Sequence, residues 1–201
     1  MDKDQDHRAL CSVLFTSGSS GTLKAVPHRW GNHRASAMGS AANLGVRDDD
    51  NWLCLIPLFH IGGLAIVTRC LLYGTAMTVR QGFDAVAVAR ELHERRVTLL
   101  SVVPTMLSRL LEADATLSAA TLPALRAVLL GGAAASPALW DEAARRGLPV
   151  LGTYGLTESC SQVVTASPGE AEAMAGTAGR PIGGAELRIV CGDGQDCPEG
   201  T

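Results

Sequence analysis

The 201-residue sequence predicts an α/β protein, a largely parallel sheet flanked by helices. Three observations carry that expectation. Short apolar runs of strand length alternate along the chain with amphipathic stretches of helical period. Stretches rich in small residues follow several of those runs, where parallel sheets place their binding loops. With 47% hydrophobic and 18% charged residues, the chain can bury a sizeable core and does not read as disordered.

The elements follow in order. "LCSVLFT" reads as a strand before a Gly/Ser loop, and "WLCLIPLFH" as a second strand ending at His60. "IGGLAIVTRCLLYG" reads as an apolar helix. From Phe83, "FDAVAVARELHERR" puts Ala85, Val88, Ala89 and Leu92 on one helical face, and the strand "VTLLSVV" follows. Pro104 opens a helix carrying Met106, Leu107, Leu110 and Leu111, after which "LRAVLL" makes a further strand. Ser136 is the N-cap of the next helix, Pro137 its first position and Gly147 its stop. "LPVLGTY" returns as a strand, and "EAEAMAGTAGRPIGG" reads as a connecting loop. No internal repeat or low-complexity tract interrupts this order.

Charge and cysteine usage narrow the function. A net charge of -3, with Lys and Arg scattered, offers no basic surface for nucleic acid. The start "MDKDQDHRAL" has no apolar signal core, and no apolar run reaches the length of a membrane span, so a cytoplasmic protein is expected. Cys11, Cys54, Cys70 and Cys160 lie in apolar or motif-like surroundings without a CxxC pair, as reduced core thiols do. Cys191 and Cys197 flank a "GDGQD" turn, but the rarity of cytosolic disulfides argues against a bond there.

Three loops invite a ligand: the one after Phe15, "GGAAAS" after Leu130, and "YGLTES" after Thr153. In the first, small residues let successive backbone N–H groups turn inward as an anion nest, hydroxyls add donors, and Lys24 supplies charge. Polyphosphate is the natural ligand, though Gly/Ser composition taken alone favours a flexible surface turn. It is not a Walker A loop, because Lys24 is preceded by Leu23 and followed by Ala25.

"TSGSSGTLKAV", "PLFHIGG", "LLGGAAAS", "TYGLTES" and "GTAGRPIGG", in this order and spacing, resemble the motifs of the AMP-forming acyl and aryl acid-CoA ligases, the adenylate-forming superfamily. The resemblance runs from about Leu10 to Val190. Within that superfamily, "PLFHIGGLAIVTRCLLYGTAMTV", "SVVPTMLSRLL" and "TYGLTESCSQVVT" look most like the o-succinylbenzoate-CoA ligases of menaquinone biosynthesis. The resemblance implies a two-step reaction. A carboxylate attacks the ATP α-phosphate and releases pyrophosphate, and coenzyme A then displaces AMP from the acyl-adenylate.

It also implies a role for each matched residue. Thr16, Ser17, Gly18, Ser19, Ser20, Gly21 and Lys24 would cradle the β- and γ-phosphates. The family usually has proline where Leu23 stands and glycine where Ala25 stands, departures that bear on loop stiffness. Tyr154, with Gly155 beside it, would lie against adenine, and Gly131, Gly132 and Ala133 would pass their backbone along its other side. Thr157 would donate to the α-phosphate, and Glu158 would ligate Mg2+. His60 would sit beside the carboxylate and adenylate and gate the pocket, with Thr153 also against the acid substrate. His7, His28, His33 and His93 read as surface or supporting residues.

Arg69 stands on an otherwise apolar helix, where an unpaired charge is costly to bury. Two readings stay open: its head snorkels to water, or it meets the second carboxylate of a dicarboxylic acid such as o-succinylbenzoate.

Relatives in the superfamily are much longer. They carry an N-terminal portion, a later ribose-binding aspartate, a hinge and a small C-terminal domain with a lysine that assists adenylation. Asp193 in "CGDGQD" reads as a turn residue instead of that aspartate. Residues 1–201 are therefore expected to form part of an AMP-binding domain, with thioester formation by this piece alone at background. The absent segments, or another copy of the chain, would complete it. The alternatives are a nucleotide-binding remnant without turnover, or a ligase for another aryl or fatty acid.

Overall fold

In the computed structural model, residues 7–17 and 23–198 are described. A two-stranded antiparallel ribbon, β1 (Leu10–Ser17) and β2 (Leu23–Arg29), precedes helix α1 (Trp30–Leu44). The main sheet then builds from β3 (Asn51–Cys54), α2 (Ile61–Tyr73), β4 (Ala76–Val79), α3 (Ala85–Glu94), β5 (Leu99–Val102) and α4 (Pro104–Ala113). It continues through β6 (Ala127–Leu130), α5 (Pro137–Arg145), β7 (Val150–Leu156), β8 (Ser161–Thr165) and β9 (Arg180–Pro181). Its seven strands run in the order β4-β3-β5-β6-β7-β8-β9. Pairing is parallel from β4 through β7 and antiparallel beyond it.

Period-2 alternation in the central strands explains the layers. Leu53, Leu100, Val128, Leu130 and Val150 point to the face covered by α3, α4 and α5, where Val88, Leu92, Leu107 and Leu110 meet them. Trp52, Cys54, Leu99, Ala127, Leu129 and Leu151 point to the opposite face, against Leu44, Ile66 and Cys70 of α1 and α2. A sheet covered on both faces needs strands that are apolar at consecutive positions, and β5 and β6 are buried at every residue.

The expected helices form with the expected ends. Pro104 occupies the first turn of α4, Ser136 Oγ accepts from the Leu139 amide at the start of α5, and Gly147 adopts φ +65° just past its end. Other expectations are corrected. β3 stops at Cys54 and does not run to His60: Pro57 offers no ladder donor, and Leu58 and Phe59 are exposed. Cys191 and Cys197 form a disulfide across the turn in which Asp193 accepts from the Gln195 amide, because the Val190–Asp196 bridge brings the two thiols together. Cys11 is exposed, whereas Cys54, Cys70 and Cys160 are buried. His28 and His33 are interior, at 2% and 1% exposure. Helix α1 has no apolar stripe to announce it: its buried face is His33, Ala37, Gly39, Ser40 and Leu44. No helix among the described residues is long and apolar enough to cross a membrane.

Candidate active site

The strand order reverses at β3, whose parallel neighbours are β4 on one side and β5 on the other. In open α/β sheets the crevice outside the carboxyl ends of strands at such a switch point is where ligands bind. Here the segments leaving β3, β5, β6 and β7 line two adjoining cavities.

The first, about 500 Å³, is walled by Gly132 and Ala133 after β6, by Thr153, Tyr154 and Gly155 of β7, and by Thr177 and Ala178. Tyr154 is 45% exposed and lines this space. Gly132 adopts φ +81°, so the chain turns there in a conformation that side chains disfavour. At Gly155 a Cβ would fall 2.0 Å from the Ser161 carbonyl oxygen, so only glycine lets β7 and β8 close at this point.

The second cavity, about 420 Å³, holds His60, Arg69, Gly131, Ser161 and Gln162 and shares Gly132, Thr153 and Gly155 with the first. His60 caps α2 with extended backbone and accepts the first helical bonds at its carbonyl, while its ring packs at 4.7 Å from Phe59 and makes no capping bond. Thr153 Oγ1 is held by Thr165 Oγ1 at 2.9 Å and by Gln162 Nε2 at 3.0 Å, so this hydroxyl braces the wall.

Arg69 does not snorkel. It is 2% exposed, and its guanidinium lies 5.6 Å from the Trp52 ring. Its Nη2 donates to Ser36 Oγ at 3.3 Å and weakly to Ser161 Oγ at 3.5 Å, and its Nε has no partner. No carboxylate among the described residues forms an ion pair with it, and burial pulls its pKa down. A buried guanidinium with an orphan donor, facing a cavity, is short of an anion.

The phosphate-loop candidates Gly18, Ser19, Ser20 and Gly21 lie outside the described residues. Their flanks do not: Thr16 pairs with Lys24, and Ser17 with Leu23, across the antiparallel ribbon. Ala25 pairs with Phe15 in extended backbone, a place that has no need of glycine. His28, further along β2, donates from Nε2 to the Thr157 carbonyl at 2.6 Å and so ties this ribbon to the "YGLTES" turn. Thr157 and Glu158 line neither cavity. Glu158 borders a separate cleft of about 280 Å³ beside α1, with an exposed carboxylate that forms no ion pair among the described residues. A free carboxylate oxygen suits a hard divalent cation, so the residue fits the part the resemblance gives it.

A family model for AMP-binding enzymes matches residues 1–201. The chain belongs to the AMP-binding enzyme family. Among the relatives of this AMP-binding chain, a 2-succinylbenzoate–CoA ligase from Bacillus pumilus is 41% identical over 192 residues, covering 96% of this chain and 39% of that protein. One from Bacillus subtilis is 39% identical over 189 residues, covering 94% and 38%. The o-succinylbenzoate CoA synthetase of Bacillus subtilis in complex with the acyl-adenylate intermediate superposes with a TM-score of 0.88 at 37% identity, covering 98% of this chain and 40% of that one. The same synthetase with ATP and magnesium ion gives 0.87 at 37%, with the same coverage. The chain thus spans about 40% of the length of these relatives.

The structure places His60, Arg69, Gly131, Gly132, Thr153 and Gly155 on one cavity and Ala133 and Tyr154 on its neighbour, so Gly131, expected beside adenine with Gly132 and Ala133, lines the His60 cavity instead. Three residues of this wall, Gln162, Ser161 and Ser101, were not singled out from the sequence. Gln162 is buried with Oε1 accepting from Ser40 Oγ and Nε2 donating to Thr153 and Thr165. A glutamine inside the strand "SQVVT" was the available signal, since an uncharged amide in a buried strand has to be satisfied by partners.

Proposed function

We propose that this chain is the central, nucleotide-binding part of an AMP-forming acid-CoA ligase whose acid is a dicarboxylic aryl compound of the o-succinylbenzoate class. The observation that carries the substrate class is Arg69, a buried guanidinium without a carboxylate partner in the cavity that also holds His60. The names of the relatives supply the acid that fits it.

In this reading the activated carboxylate approaches from the His60 side and the adenosine lies along Tyr154, the two meeting where the cavities share Gly132, Thr153 and Gly155. A carboxylate oxygen of the acid bonds to the α-phosphorus as the bond to the pyrophosphate oxygen breaks, and the coenzyme A sulfur later attacks the acyl carbon as AMP departs. Lys24 offsets the charge of the leaving pyrophosphate, and the hydroxyls of the loop before it donate to the pyrophosphate oxygens. Thr157 would donate to the α-phosphate from the turn beside the two cavities, and Glu158, on the neighbouring cleft, would hold Mg2+, which when bound supplies positive charge toward the phosphates. Arg69 orients the acid by its distal carboxylate through a charge-assisted pair. The setting is cytoplasmic, and the remaining segments of a relative-length protein complete the reaction.

The test uses the intact protein, with pyrophosphate release followed in the presence of ATP, Mg2+ and o-succinylbenzoate. Release that depends on the acid, with an acyl-adenylate detectable by mass when coenzyme A is withheld, is expected. ATP cleavage to ADP, or release indifferent to the acid, would overturn the reading.

A further inference from the structure

His28 of β2, His33 of α1 and Cys160 of the β7–β8 turn come together in the interior, and one ligand atom from each lies within 4.8 Å of the others. We propose that this cluster is a binding site for a thiophilic divalent cation, Zn2+ in particular, separate from the phosphate-associated Mg2+.

The arrangement of the histidines supports ligation. His28 Nε2 contacts a carbonyl oxygen, which only accepts, so the proton sits on Nε2 and Nδ1 carries a lone pair, which meets Ser12 Oγ at a long 3.4 Å. A metal-bound imidazole characteristically donates its other N–H to such a carbonyl. His33 Nε2 lies 2.9 Å from Ser12 Oγ, a hydroxyl able to accept its proton, and Nδ1 faces Cys160 Sγ at 3.4 Å. Tetrahedral zinc with N and S ligands at about 2.0 and 2.3 Å requires a separation close to that. Among the described residues, Cys160 and Ser161 are the non-glycine positions with positive φ, +58° and +93°, so the turn is bent into a disfavoured conformation, and Cys160 is buried there.

Two imidazoles and a thiol select zinc over magnesium, and with three protein ligands the fourth position falls to water. Binding displaces the thiol proton to solvent and forms a metal–thiolate bond. Its consequence is local. The metal locks β2, which leads out of the phosphate loop, onto the turn that carries Thr157 and Glu158. The site stands whether or not the substrate assignment above is right.

The 201-residue chain, stripped with a chelator, is titrated with Co2+ and its absorption recorded. The expected result is a thiolate-to-cobalt charge-transfer band in the near ultraviolet with the intense visible bands of tetrahedral cobalt, both abolished by equimolar Zn2+. Cys160→Ser should remove the near-ultraviolet band, while Cys11→Ser and Cys191→Ser/Cys197→Ser keep it. His28→Gln retains a donor toward the Thr157 carbonyl and should still weaken the metal, with circular dichroism unchanged. Ser12→Ala, which releases His33 Nε2, should lower Zn2+ affinity by about 10–100-fold. Absence of the thiolate band at saturating Co2+, or its survival in Cys160→Ser, would overturn the site. If Cys160→Ser does not fold, X-ray absorption of the zinc-loaded unmodified chain decides: sulfur with imidazole nitrogen supports the proposal, and oxygen ligation alone overturns it.

Discussion

The two ends of the parallel strands each bury an arginine, and the two are treated oppositely. At the amino ends, Arg126, just before β6, gives Nε and Nη2 to the two carboxylate oxygens of Asp50, just before β3, at 2.7 and 2.6 Å. Its Nη1 donates to the Leu44 carbonyl, and Thr98, just before β5, donates to Asp50 as well. At the carboxyl ends, Arg69 has two serine hydroxyls at long range and an unpaired Nε. The first guanidinium is a structural clasp, while the second keeps a donor unused, as the role proposed for Arg69 requires. Stability is concentrated at one end of the sheet and binding capacity at the other.

The largest expected effect breaks the clasp. Arg126→Ala leaves Asp50 buried without its partner and should destabilise the fold by about 3–5 kcal/mol, read as a lowered denaturation midpoint. A loss below about 1 kcal/mol would mean that the clasp adds little. At the other end, Lys24→Ala and Glu158→Ala in the intact protein should each cost on the order of 10²-fold or more in pyrophosphate release, with melting temperature nearly unchanged. Activity within about twofold of the parent for both would remove them from the chemistry.

Arg69→Ala sharpens the contrast directly. It should leave stability unchanged or raised, because it deletes an uncompensated buried charge. At the same time it should lower kcat/KM for o-succinylbenzoate relative to benzoate by about 1.5–3 kcal/mol. Equal losses for both acids would make Arg69 structural after all.

The smallest effect is a pH dependence. Burial opposes the charge on Asp50, yet hydrogen bonds from Arg126, the Arg47 amide and Thr98 outweigh it and hold the carboxyl below its ordinary value. The folded pKa is depressed, so this contribution is fully present above the unfolded carboxyl pKa, about 4, and is lost as pH falls through the folded value. Acid titration of the parent and of Asp50→Asn should therefore converge at low pH. Parallel curves would exclude Asp50 as their source.

Much of this architecture was legible because it rests on local rules. Residues two apart on a strand share a face, so "AVLL" and "LLSV" announced a sheet covered on both sides. Ser136, Pro137 and Gly147 marked helix ends through backbone groups within a turn of themselves. The small-residue loop after β6 became a cavity wall for the same reason, while at β7 the wall is the end of the strand itself, Tyr154 and Gly155, and not the turn beyond it.

What the sequence left undecided depended on neighbours far along the chain. Period alone put Arg69 on an apolar helix. That it is enclosed, and that no carboxylate reaches it, required Ser36, Trp52 and Ser161 to assemble around it. His28 and His33 read as surface or supporting residues because each is polar and locally unremarkable. Only the folding of the β7–β8 turn onto β2 and α1, bringing Thr157 and Cys160 from more than a hundred residues away, made them interior. The sequence by itself therefore determined the layers and where the binding loops would stand. The tertiary structure decided which charges are paired and which await a ligand, because pairing is a contact between groups whose distance along the chain says nothing of their distance in space.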